Sequence, residues 1–306
     1  MKLTGIADEA GSSIDAQIRA HRELGWDTME ARFVQVEDFD NGSIHEIPDA
    51  AFDRFQQRIE EAGIRVCGVG STIGNWAHRI EDPFEITLSE VGRCIARMKR
   101  LESKIVRIMS YAIRQDDDKN DLPDQMPRER FERVREINRR FADAGITAVH
   151  ENCMNYGGMG PDFAREMIEE VPGMKWVFDT GNPVFNRDRN KENPFPMQDP
   201  WEMYQVIKPH IAHVHIKDGI WNPETGKCDF TFAGEGEGKV ARIVEDLMAS
   251  GYDGYLSIEP HVAAVFHDTA PGGDSAAKAR EQYDSYVRYG RAFAGLVDNL
   301  GAAARR

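Results

Sequence analysis

The sequence is short of cysteine, of net positive charge and of long apolar runs, and each shortage removes a class of protein. Its 306 residues include 4 cysteines. Cys67, Cys94, Cys153 and Cys228 stand far apart with no C-x-x-C pair. That spacing argues against a zinc cluster or a disulfide framework and for free thiols in a reducing compartment. Lys and Arg total 38 against 52 Asp and Glu, a formal net charge of −14. Such an excess opposes the wide positive footprint that nucleic acid or an anionic membrane needs. No apolar run approaches a membrane span, and the first residues, MKLTGIADEA, carry acids where a signal peptide has its apolar core. A cytoplasmic protein with neither a nucleic-acid nor a membrane partner is expected. No low-complexity linker interrupts the chain, so residues 1–306 read as one domain, with GAAARR as a frayed tail.

What the chain does have is a regular alternation. Apolar runs of strand character fall at Leu3–Ala7, Thr28–Phe33, Arg65–Val69, Ile105–Met109, Thr147–His150, Trp176–Phe178, Ala212–Ile216 and Tyr255–Ile258. Between them lie helical patterns at Ile14–Leu24, Ala50–Ala62, Leu88–Leu101, Arg128–Ala144, Pro161–Val171, Trp201–Ile207, Val240–Ser250 and Ala276–Leu296. Phe131, Val134, Ile137, Asn138 and Phe141 illustrate the helical spacing, with arginines and glutamates on the opposite side. Strict strand–helix alternation argues a parallel sheet with right-handed crossovers, and eight units argue closure into a (β/α)8 TIM barrel, an α/β fold.

The links between elements are unequal. LGWDTME, AGIRVCG, AGITAVHE and SGYDGYLS lead quickly from helix to strand, with Gly25, Gly63, Gly145 and Gly251 where a left-handed residue ends a helix. The strand-to-helix links Val34–Asp49, Gly70–Thr87, Tyr111–Pro127, Gly181–Asp199, Asp218–Lys239 and Pro260–Ser275 are long and rich in Gly, Pro, Trp and charge. All the elaboration therefore falls at the C-terminal ends of the strands, the face that carries active sites in a closed α/β barrel.

One stretch there is costly unless used. In Ala212–Gly219, AHVHIKDG, His213, His215 and Lys217 occupy alternate positions and so share one face of a buried strand. Other strands bring acids to the same end: the fifth ends in Glu151, the sixth in Asp179 and the eighth in Glu259. Three carboxylates and an imidazole meeting at the barrel axis would repel one another unless a cation held them. One histidine among oxygen donors points to a single divalent ion, Mn²⁺ first, with Mg²⁺, Co²⁺ or Zn²⁺ as alternatives.

HEN at 150–152, FDTGN at 178–182, HVHIKD at 213–218, GEGEG at 234–238 and SIEPH at 257–261, in that order, resemble the xylose-isomerase-like sugar isomerase/epimerase barrels. The resemblance runs from Leu3 to about Leu296 and is specific to the superfamily rather than to one activity. It implies metal ligation by Glu151, Asp179, His215 and Glu259, and proton transfer by Glu151 and Glu259. It makes His213 a deeper residue and lets Glu235 of GEGEG reach the site. Ketose 3-epimerases, hydroxypyruvate isomerases and inosose dehydratases all belong to this group. Its sugar 3-epimerases carry a histidine three residues after the aspartate and an arginine beyond the H-x-H strand. Here those places hold Asn182 and the run Gly219–Ile220–Trp221.

The chemistry follows from the ligand set. A keto-sugar can chelate a metal through its carbonyl and a neighbouring hydroxyl, so that an adjacent C–H proton leaves and an enediolate forms. One glutamate takes the proton and the other returns it elsewhere. An isomerase or epimerase of a small carbohydrate is expected; elimination by a lyase or dehydratase would use the same ligands. Asn182, Lys217, Arg107, Glu30, Trp76 of GNWAH and Glu235 are the candidate substrate contacts. A structural Glu–Arg pairing competes for Glu30, Arg32 and Arg107, and a solvated loop position for Lys217. His150 points away from the metal by strand parity, although at a strand end it could swing in as a base. The loop Asn182–Gln198 is a candidate lid. GEGEG lacks the following Lys-Ser/Thr of a P-loop. Association into a homo-oligomer is a further expectation.

Overall fold

A computed structural model describes residues 1–263 and 275–303. Parts of the expected link Pro260–Ser275 and of the terminal tail, residues 264–274 and 304–306, lie outside the described residues. Eight parallel strands form one sheet: β1 Lys2–Gly5, β2 Thr28–Ala31, β3 Arg65–Gly70, β4 Ile105–Ile108, β5 Thr147–Glu151, β6 Lys175–Asp179, β7 Ile211–Ile216 and β8 Tyr255–Ile258. Their order is β1-β8-β7-β6-β5-β4-β3-β2. The remaining seam, between β1 and β2, carries a single parallel bridge, Ile6 to Glu30, and a bond from Thr4 Oγ1 to the Thr28 carbonyl at 2.9 Å. The sheet is thus a nearly closed TIM barrel.

Helices α1 Ile14–Glu23, α2 Asp49–Ala62, α3 Phe84–Arg100, α4 Pro127–Asp143, α5 Pro161–Glu170, α6 Pro200–Ile207, α7 Val240–Ala249 and α8 Ser275–Ala303 alternate with the strands. Each of α1–α7 buries one stripe: Phe131, Val134, Ile137 and Phe141 of α4 are all inaccessible or nearly so and join the core. This two-layer packing is what a parallel sheet needs to cover its outer face. Gly25, Gly63, Gly145 and Gly251 have φ of +72°, +69°, +73° and +75°, so the short helix-to-strand links end in left-handed glycines as expected.

The long links hold structure of their own. After β2, Phe33–Val34 pairs with Gly42–Ser43, and after β7 an antiparallel hairpin joins Asp218–Asn222 to Lys227–Thr231. The link after β6 begins with a one-turn helix, Asn182–Phe185. All of this sits at the C-terminal mouth of the barrel, where the candidate residues lie.

Candidate metal centre

Register brings the expected residues to one level. Asp179 of β6 and Ser257 of β8 both pair with His215 of β7, and Glu151 of β5 pairs with Val177. Glu259 continues β8 by one hydrogen bond, from its N–H to the Ile216 carbonyl at 2.9 Å. One donor atom from each of Glu151, Asp179, His215 and Glu259 lies within 4.8 Å of all the others. All four residues are buried.

Local sequence fixes each side chain. Asp179 ends β6 at a sharp turn, and its Oδ1 accepts the backbone N–H groups of Gly181 at 2.8 Å and Asn182 at 2.7 Å. A short carboxylate capping the residues after it is the usual way such a turn is held. The cap leaves Oδ2 aimed inward, where it meets Lys217 Nζ at 3.1 Å. Asn152 ties β5 to β6 by exchanging two bonds with the Asp179 backbone, at 2.9 and 2.8 Å. His215 Nδ1 faces Glu151 Oε1 at 2.9 Å, and its Nε2 faces Glu30 Oε1 at 3.0 Å. Glu30 Oε2 also receives His213 Nε2 at 2.8 Å. A register shift between Met29 and Glu30 accompanies this placement, the kind of irregularity that re-aims a strand side chain.

The charges balance by contact. Glu151 Oε2 lies 3.4 Å from Arg107 Nη1. Glu259 Oε1 accepts from Arg32 Nη1 at 2.5 Å, and its Oε2 accepts from Lys217 Nζ at 3.0 Å. His261 Nε2 stands between Glu9 and Glu259 at 3.2 and 3.4 Å. Burial would lift the Glu259 carboxyl, but Lys217, His261 and Arg32 hold it well below the usual range. Burial likewise opposes ionisation of Glu151, and Arg107 and His215 reverse the effect. Asp179 goes the other way, to about 6, because burial outweighs Lys217 and the neighbouring Glu259 and Glu151 add to it. Burial alone would discharge His215; Glu30 and Glu151 instead raise it to about 10.

The donor set fits a divalent cation. Glu151 Oε2 and Asp179 Oδ2 are buried with an ion-pair contact but no hydrogen bond, and three carboxylates with one imidazole supply hard and borderline donors. Glu30 behind His215 completes the carboxylate–imidazole pairing that orients metal-binding histidines.

Residues 18–286 match the family model described as xylose isomerase-like TIM barrel. The chain belongs to this family. No curated protein sequence matches it. Among solved structures, a xylose isomerase-like TIM barrel protein from Mycobacterium smegmatis in complex with magnesium is 20% identical, covers 98% of this chain and 97% of its own, and superposes with a TM-score of 0.62. D-psicose 3-epimerase with D-tagatose from Clostridium cellulolyticum H10 is 18% identical over 94% of this chain and 99% of its own, with a TM-score of 0.61. The apo form of 3-keto-D-glucoside 4-epimerase from E. coli is 16% identical over 94% and 99%, with a TM-score of 0.59.

Within this xylose isomerase-like barrel, the other expected contacts divide. Lys217 and Arg107 touch Asp179 and Glu151 directly. Asn182 is buried beside Asp179 and its Nδ2 has no hydrogen bond. Glu30 lies against His213 and His215, so its oxygens meet imidazoles. Trp76 is 55% exposed, and Glu235 is exposed on the GEGEG loop. His150 faces outward: its Nε2 bonds Ser110 Oγ at 3.0 Å and its ring packs 4.5 Å from Trp176. Phe185 walls the site instead, under the Lys217 ammonium at 5.8 Å and beside Phe230 at 5.9 Å. Sequence reasoning missed the Asp8–Glu9–Arg32 cluster, in which Arg32 Nη2 bonds Asp8 at 2.9 Å and Glu9 at 2.7 Å. Its signal was the acidic pair directly after β1, in GIADEA.

Proposed function

We propose that the protein is a divalent-metal-dependent isomerase or epimerase of a small keto-sugar or sugar derivative. The observation that carries this is the convergence of Glu151, Asp179, His215 and Glu259, with Glu151 Oε2 and Asp179 Oδ2 buried and facing only the cations of Arg107 and Lys217. The structural neighbours described with magnesium or with D-tagatose support it. Asp179, His215, Glu151 and Glu259 would hold the ion, Mn²⁺ or Mg²⁺ by donor type. When bound, a divalent ion polarises a ketone and offsets the charge that develops on its oxygen.

The rest is work for the chain. Glu151 on β5 and Glu259 after β8 stand at the two ends of the ligand arc, with β6 and β7 between them. One removes a proton from the carbon beside the ketone and the other returns a proton, elsewhere or on the opposite face. Arg107 grips Glu151, while Arg32 and Lys217 grip Glu259, so both carboxylates are held by cations from outside the reacting centre. Lys217 also places an ammonium where oxygen charge grows. Phe185 excludes water, and Asn182 offers an unbonded amide to a hydroxyl.

Incubating the protein with Mn²⁺ and a panel of ketohexoses, 3-keto-glucosides and inososes in D₂O tests the reading. Expected is deuterium at the carbon beside the ketone in a product that keeps every carbon and oxygen of the substrate. Loss of water or an aglycone would move the assignment to a lyase, and absence of exchange across the panel would refute both.

A further inference from the structure

The GEGEG loop has the make-up of an anion cradle: closely spaced backbone N–H groups with no side chains in the way. The structure supplies the anion from within. Asp218 follows Lys217 directly and is fully buried. Its Oδ2 accepts from Gly234 N at 2.8 Å and Gly236 N at 3.1 Å, and its Oδ1 from Gly238 N at 2.8 Å and Gly219 N at 2.9 Å. The glycines are needed for this approach. A Cβ on Gly236 would stand 2.4 Å from Asp218 Oδ1, and one on Gly238 would stand 2.8 Å from it.

The clamp bears on the site through the hairpin it closes. Asp218 begins the strand Asp218–Asn222, whose partner Lys227–Thr231 carries Phe230. Phe230 packs edge-on against Phe185 at 5.9 Å and His261 at 5.2 Å. Phe185 lies under Lys217, and His261 touches Glu259. A backbone bond, Glu237 N to Gly219 O at 2.8 Å, also holds the loop against the base of the hairpin.

We infer that Asp218 is a positioning residue: its carboxylate fills the N–H cradle of Gly234, Gly236 and Gly238 in the place of an external phosphate, and so fixes the Phe230 hairpin over the ligand set. The cradle is therefore closed to a substrate phosphate. The catalytic part of this inference rests on the proposed isomerase reading; the structural part does not.

Two variants test it, D218A and D218N, with thermal melting, trypsin digestion and, for any active substrate, steady-state kinetics. D218A leaves a carboxylate-sized gap facing four N–H donors. Sodium formate is expected to raise its melting temperature saturably, by about 2 °C, while equal sodium chloride does not and wild type does not respond. D218N keeps the shape but turns an amide N–H₂ toward two of the donors. It is expected to be cut by trypsin after Lys227 several times faster than wild type and to lose roughly tenfold or more in kcat/KM, with metal stoichiometry retained. If D218A fails to fold, the D218N digestion decides. Wild-type digestion rates in D218N, or formate and chloride acting alike on D218A, would overturn the inference. An inactive wild type would sink the isomerase reading and leave the melting and digestion results to judge Asp218.

Discussion

Glu30 is the residue whose placement most changes what a mutation should do. It is 1% exposed and joins two imidazoles, His213 Nε2 at 2.8 Å and His215 Nε2 at 3.0 Å. In E30Q one oxygen becomes a donor that must face an imidazole nitrogen, and the charge opposite His215 disappears. Losing one charge-assisted bond and leaving a buried partner unsatisfied costs about 2–4 kcal/mol, a fall in Tm of roughly 3–6 °C for a chain of this length. The same change frees the His215 ring to rotate, and outer partners of metal-binding histidines are typically worth about 10–100-fold in metal affinity. Titration of Mn²⁺ against a chromophoric chelator measures the second quantity independently of the first. Because Glu30 reaches no ligand oxygen, E30Q should weaken metal binding without changing the number of ions bound. An unchanged affinity in E30Q, within about twofold, would refute the idea that Glu30 orients His215.

Other expectations are quickly checked. Burial, with Arg93 and Arg97 nearby, lowers His45 to about 3, and burial lowers His150 to about 3. Both are neutral when folded and take up protons when unfolded, so stability is full above about pH 6.5 and falls toward pH 3, by at most about 1.4 kcal/mol per pH unit for each. The urea midpoint of H45Q, measured relative to wild type at pH 7.5, 6 and 5, should rise as pH falls; a difference that stays constant across the three pH values would contradict it. H150Q should lower Tm through the lost Ser110 bond and Trp176 contact yet leave Mn²⁺ affinity unchanged, as isothermal titration would show. G236A, forcing a Cβ against Asp218 Oδ1, should speed trypsin cleavage after Lys227 as D218N does.

The eight strands and the convergence of Glu151, Asp179, His215 and Glu259 were legible because both rest on short-range rules. Period-two alternation put Glu151, Asp179 and His215 on inward faces, and left-handed glycines marked the helix ends. Boundaries were less so: α3 begins at Phe84, a turn before the expected Leu88, since Pro83 starts the helix without any apolar periodicity. The hairpin Asp218–Thr231 was hidden because its strands are short, polar and half exposed, so no alternation stands out. Contacts such as Arg32 with Glu259, 227 residues apart, depend on barrel closure between β1, β2 and β8 and leave no local trace. Glu30 was placed on the right strand, but its pairing with two histidines of β7 comes from the same closure. Trp76 and Glu235 were read from motif position alone, and the loops that carry them turn both side chains toward solvent.

The central claim is that Glu151 and Glu259 move the proton while the ion stays bound, and one measurement reaches it most directly. Solvent deuterium exchange into a keto-sugar is followed for wild type, E151Q and E259Q, each with its metal content measured on the same sample. Wild type should exchange, and each metal-loaded variant should be slower by about a hundredfold or more. Wild-type exchange rates in both metal-loaded variants would contradict it.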